Sequence, residues 1–216
     1  MTFRDLQDMV AFGEGKQIEF KQKLPDWNKL LREVVAFANT EGGTVLIGVD
    51  DDGGLSGVKD PREIEEAITL NLNKWVRPEV VYKLSVIPIT RKRAVVAIQV
   101  RRSKTKPHYV RENPETNDGI ALIRIADNSA KASKEIIQLL KYEGREQNMK
   151  VEYGEKERIL MKYLETHQHI TVTKFADLAI IPRNVASRTL VHLVKANVLR
   201  IQPNVETDDV FLPMEA

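Results

Sequence analysis

The spacing of apolar positions changes several times along the chain, and each change marks an element. Phe3, Leu6, Met9, Val10 and Phe12 recur at helical intervals, and Gly13-Glu14-Gly15 breaks the run. Ile18 and Phe20 then alternate with Glu19 and Lys21, the pattern of an exposed strand. Leu30, Leu31, Val34, Val35 and Phe37 form a helical stripe that Gly42-Gly43 ends by supplying positive φ. The apolar run over 45–49 predicts a strand covered on both faces. Asp51-Asp52-Gly53-Gly54 predicts a hairpin turn, with residues 55–58 as the returning strand. Asp60 and Pro61 fit the cap and first position of a helix through Ile64, Ala67, Ile68 and Leu72. Strand-like segments follow at 80–89, 94–100, 106–110 and 120–125, and residues 133–142 read as a helix.

These elements predict a compact mixed-sheet α+β domain over 1–145, with residues 146–154 as a polar linker. Beyond it the pattern becomes helical at 156–164, 174–179 and 183–196, then strand-like at 198–201 and 210–212. Three helices followed by a β-hairpin predict a small winged helix-turn-helix domain over 155–216.

Composition adds exclusions. No apolar run approaches the ~20 residues that cross a bilayer, and the start Met1-Thr2-Phe3-Arg4-Asp5 lacks a signal peptide's apolar core. The absence of cysteine excludes disulfides and Cys-ligated metal sites. A cytoplasmic protein with no membrane partner is expected. The net charge of +2 implies no partner by itself.

The distribution of charge says more. Residues 91–111 contain Arg91, Lys92, Arg93, Arg101, Arg102, Lys104, Lys106 and Arg111 and no Asp or Glu. On neighbouring strand ends these cations would form one surface that attracts phosphate. From 174 to 200 the only acidic residue is Asp177. There Arg183, Asn184, Ser187 and Arg188 would lie on one exposed helix face. Arg reads guanine and Asn reads adenine in a major groove, while Lys174 and Arg200 would hold flanking phosphates. The alternative for this unit is a dimerisation or protein-interaction module.

Glu14, Glu19, Asp50 and Asp51 form another candidate set. Converging carboxylates would hold Mg²⁺ or Mn²⁺ and activate water against a phosphodiester; by spacing alone, a strand-surface Glu and a turn Asp pair are the better fit. The glycine turns match neither the phosphate-loop nor the dinucleotide pattern. His167 and His169 read as a solvated loop, and Trp27 and Trp75 as core rather than as base-stacking platforms.

The segments Glu14-Gly15-Lys16-Gln17-Ile18-Glu19-Phe20-Lys21 and 36–53, with Lys106-Pro107-His108-Tyr109 and the Arg124-Ile125-Ala126-Asp127-Asn128 stretch, resemble the Schlafen AlbA-like domain. Ala126 and Asp127 stand where that family usually has Gly-Ser. The resemblance covers residues 10–140. It implies a nucleic-acid-binding α+β domain, joined in bacterial members to a C-terminal helix-turn-helix in transcriptional regulators. Vertebrate relatives include ribonucleases with two Glu five residues apart and a later Asp, which Glu14, Glu19 and Asp50 or Asp51 match. Those enzymes clamp RNA between two such modules, so a nuclease here would need a dimer. The family's older ATPase label has no phosphate loop to support it. The expected function is therefore a DNA- or RNA-binding protein, a transcriptional regulator and homodimer that needs no cofactor. Lys21 and the basic strands would hold the nucleic acid. The alternatives are a Mg²⁺- or Mn²⁺-dependent ribonuclease and a non-catalytic interaction module.

Overall fold

A computed structural model describes residues 1–116, 118–143 and 153–214. The chain divides into two units, Met1–Ala132 and Ser133–Ala216.

In the first unit, α1 (Phe3–Phe12) is opened by a capping box between Thr2 and Asp5 and closed at Gly13. β1 (Ile18–Lys21) leads to α2 (Trp27–Asn39), whose N-cap Asp26 accepts from the Asn28 N–H. Next come β2 (Gly42–Ile47), α3 (Pro61–Trp75), β3 (Val76–Arg77), β4 (Tyr82–Thr90), β5 (Arg93–Arg101), β6 (Tyr109–Arg111), β7 (Gly119–Ile125) and β8 (Asn128–Lys131). One sheet has the order β1-β2-β5-β4, the other β3-β6-β7-β8. β1 and β2 are parallel, so α2 serves as their crossover.

α2 packs against β2 and β5 of one sheet and β6, β7 and β8 of the other. Residues 34–39 are consequently buried without a break. A helix apolar on one stripe would leave a wet face; this one, apolar nearly all round over its last turns, fits between two sheets. Strand alternation divides the core. Val45, Ile47, Val96 and Ile98 face α2, whereas Leu46, Val95 and Ala97 pack with Phe20 and with Leu6 of α1.

The hairpin expected at 51–58 does not form. β2 pairs with β5, and after Ile47 the chain turns at Gly48, whose φ is 102° and whose carbonyl accepts from the Gly57 N–H. Of residues 55–58 only Val58 makes a bridge, to Ala94. β8 was not visible in the apolar pattern because Asn-Ser-Ala-Lys has none.

The second unit holds α4 (Lys134–Tyr142), α5 (Glu155–Leu164), α6 (Val172–Ala179), α7 (Arg183–Lys195), β9 (Leu199–Gln202) and β10 (Val210–Pro213). Its core joins Leu160, Phe175, Leu190, Leu193 and Phe211. β9 and β10 are antiparallel, and Ile170 bridges Phe211. The helix expected to close the first domain, α4, packs on α7 instead. Of the expected linker, residues 146–152 lie outside the described residues; Gly154 begins α5 as its N-cap. No helix among the described residues is long and apolar enough to cross a membrane.

Candidate nucleic-acid interface

The basic residues of 91–111 do not form one patch. β5 is nine residues long. At about 3.3 Å per residue, its ends stand more than 25 Å apart. Arg91, Lys92 and Arg93 are at the β4–β5 tip; Arg101, Arg102, Lys104 and Lys106 follow the opposite end. Several are also engaged. Arg93 donates to the carbonyls of Ser56 at 3.0 Å and Gly57 at 2.9 Å. Arg102 pairs with Glu41 at 2.9 Å, and Lys106 donates to the Thr40 carbonyl just past α2. Arg111 donates to the carbonyls of Pro114 and Lys74. The exposed side chains of Arg91, Lys92, Arg101 and Lys104 have no partner among the described residues.

The carboxylates are placed apart too. Glu14 accepts from the Phe20 N–H at 2.7 Å, holding its own glycine loop. Glu19 lies beside Val45 in the β1–β2 register, whereas Asp50 and Asp51 sit in the turn beyond β2, where the Asp50 N–H donates to the Gly54 carbonyl. Among the described residues no group of three His, Cys, Asp or Glu side chains is placed to hold a metal ion. Glu14 and Glu19 therefore form no metal-holding group with Asp50 or Asp51 among the described residues.

Glu19 faces inward rather than outward, because the second sheet covers that side of β1. Its carboxylate meets Arg124 at 2.5 Å and also Lys21. The Arg124 side chain, 2% exposed, further donates to Glu33 at 2.6 Å, to Ser129 at 3.3 Å and to the Gly15 carbonyl at 3.0 Å. Its guanidinium also lies 5.0 Å from the Phe37 ring centroid. Three elements and the glycine loop thus close on one cation carried by β7. Burial pushes the Glu33 carboxyl up, and nearby Glu19 adds to this; the Ser129 hydrogen bond and Arg124 oppose it without cancelling it.

A second buried polar knot ties α2 to the other sheet. Asn39 donates to the carbonyls of His108 at 2.9 Å and Leu122 at 2.8 Å, and accepts from the His108 N–H at 2.7 Å. His108 is 0% exposed. Its Nδ1 faces the Pro78 carbonyl at 2.8 Å, which can only accept, so Nδ1 carries the proton. Nε2 has no partner among the described residues. Burial, with nearby Lys106, lowers the imidazole's pKa against the opposing Pro78 bond.

Sequence reasoning assigned no role to Arg124, Glu33, Asn39 or His108. The available signal was a charge inside an apolar run: Glu33 between Leu31 and Val34, and Arg124 between Ile123 and Ile125.

In the second unit, α6 and α7 are joined through Ile180, which adopts a left-handed conformation and is 92% exposed. Arg183, Asn184 and Arg188 are exposed on α7, and Lys174 and Arg200 are exposed nearby in sequence on α6 and β9. Arg183 lies 3.8 Å from Asp208, which also accepts from Thr173. Ser187 departs from the expected face: it donates to Glu135 of α4. Farther along α7, Lys195 stands 3.0 Å over the Tyr142 ring.

Residues 14–133 match the family described as Schlafen, AlbA_2, and the chain belongs to that family. Such membership suggests association with nucleic acid. No curated protein matches the chain. Among solved structures, the DIP2311 protein of Corynebacterium diphtheriae is similar at 15% identity and a TM-score of 0.43, covering 65% of this chain. The chain spans 28% of that protein's length. The N-terminal domain of a RecG-related protein from Nitrosomonas europaea is similar at 20% identity and a TM-score of 0.44, covering 72% of this chain and 97% of that one.

Proposed function

We propose that this protein is a DNA-binding transcriptional regulator acting as a homodimer, with a winged helix-turn-helix as its second unit. The observation that carries the reading is the exposed trio Arg183, Asn184 and Arg188 on the N-terminal half of α7, directly after a short inter-helix turn. A recognition helix contacts base edges with its N-terminal residues. The β9–β10 tip carries Glu206, Asp208 and Asp209 and no Lys or Arg. Phosphate would repel it, so base reading falls to α7, with Lys174 and Arg200 on the backbone. Arg91, Lys92, Arg101 and Lys104 of the first unit would add sequence-independent phosphate contacts.

The ribonuclease reading has less support, because the Glu19 carboxylate is already neutralised by Arg124 and Lys21.

The test is selection of preferred duplexes from a random pool, followed by retention measured over a salt series. Enriched sequences, with affinity falling as salt rises, are expected. Retention that ignores salt, or Mn²⁺-dependent cleavage of RNA by wild type that Glu19→Gln abolishes, would overturn the reading.

A further inference from the structure

The protein has two tryptophans, and both line the same groove. Trp27 opens α2 and Trp75 closes α3, and the groove between them encloses about 630 Å³. Its floor is Leu31, Val110 and Ile120. Both indoles pack partly on the α2 core and are only half-buried, so each keeps aromatic surface toward the groove.

The polar lining has a particular composition. Arg32, Lys74 and Arg111 supply cations. Lys74 Nζ sits 5.0 Å from the Trp75 ring centroid. Arg111 is fixed by two backbone carbonyls, yet its buried Nε has no partner among the described residues. Of the two carboxylates present, Asp26 is committed to capping α2, which leaves Glu112 as the opposing charge. The exposed Asn28 amide adds donor and acceptor capacity at the rim.

We propose that this groove binds an unpaired nucleotide of a single strand, the base stacking on Trp75 and Trp27 and the adjoining phosphates meeting Arg32 and Lys74. Indole faces accept any base, and stacking with nearby cations is the chemistry of single-strand recognition. The volume lies within the range of small-ligand sites. A duplex cannot reach it, because its bases are already stacked on one another. The inference rests on the nucleic-acid reading of the protein and gives the first unit a ligand class of its own.

Because no other tryptophan exists in the chain, intrinsic indole emission reports this groove directly. The experiment titrates the full-length protein with a thymidine or adenosine oligonucleotide of about ten residues, with a duplex of equal length, and with an acidic peptide. Saturable quenching by the single strands is expected. Trp75→Ala should weaken single-strand binding by about tenfold or more, while Trp75→Phe, which keeps a ring, restores most of it. Duplex retention should be unchanged in both, and equal melting temperatures check that the variants fold. Single-strand binding with unaltered emission, or equally tight binding by Trp75→Ala, overturns the inference while leaving the DNA-binding reading in place. Quenching by the acidic peptide alone makes the groove a protein-docking site and overturns it also. If wild type retains no nucleic acid at low salt, both readings fall.

Discussion

Arg124 meets Glu19 at 2.5 Å across 105 residues of sequence, with Glu33 on the guanidinium's other nitrogen at 2.6 Å. The pair fastens β7 to β1 in the interior, where a lone charge has no water to turn to. Arg124→Met is therefore expected to cost about 3–5 kcal/mol, because it takes the buried cation from Glu33 and leaves Glu19 with Lys21. Urea unfolding measures this. Adding Glu19→Gln to Arg124→Met should restore part of the loss, and additive losses would show that the two residues are not coupled.

Two groups should give the protein opposing pH dependences. His108 has a folded pKa below its ordinary value of 6.5. As pH falls through 6.5, the unfolded chain takes up a proton that the folded chain refuses. Stability is thus lost down to the folded value. Glu33 has a folded pKa above its ordinary 4.5. Its contribution is complete below 4.5 and is lost as pH rises through the folded value. Unfolding free energies of wild type, His108→Gln and Glu33→Gln across mildly acidic pH should separate the two slopes. An unchanged slope in His108→Gln would mean that the imidazole takes up its proton equally in the folded and the unfolded chain.

Backbone positions should respond in opposite directions to one methyl group. A Cβ on Gly43 would stand 2.5 Å from the Phe37 ring, whose other contacts hold it in place. Gly43→Ala is expected to cost about 1–3 kcal/mol by overpacking. Ala126, in the β7–β8 turn, has φ of 53°, a conformation that costs an L-residue about 1–2 kcal/mol. Ala126→Gly should therefore raise the melting temperature. A fall would place the turn in a different conformation.

On α7, neighbouring residues should separate recognition from stability. Arg188→Ala is expected to weaken binding to a selected duplex by about 1–3 kcal/mol and to relax sequence preference. Ser187→Ala, which removes the hydrogen bond to Glu135, should lower stability and leave site choice intact. Competition binding against the selected site and its single-base variants tests both. A loss from Arg188→Ala equal on every sequence would assign that residue to phosphate.

Much of the first unit was legible before its structure. The helix over α2, the glycine turn after it and the strands β2, β5 and β7 follow from period and turn chemistry, because those signals are local. The segment around Arg124 was recognised as similar to a family motif, yet no role followed from it. Its partners lie in the loop before β1, in β1, in α2 and in β8, and adjacency in sequence does not say which of them meet. The basic run over 91–111 misled for the same reason. Consecutive residues on a strand separate by more than 3 Å each, so a dense charge run became two distant ends.

The sequence by itself determined the family, the alternation that builds both sheets, and the order of helices and strands in the second unit. Each is encoded by residues within a few positions of one another. Tertiary structure alone decided that Glu19 points inward at Arg124, that Ser187 is taken by α4, and that Trp27 and Trp75 share one groove. These are meetings of residues far apart in the chain, brought about when α2 is closed between two sheets and α4 lies against α7. Burial there removes water as the competing partner and leaves each polar group only the neighbours that packing supplies.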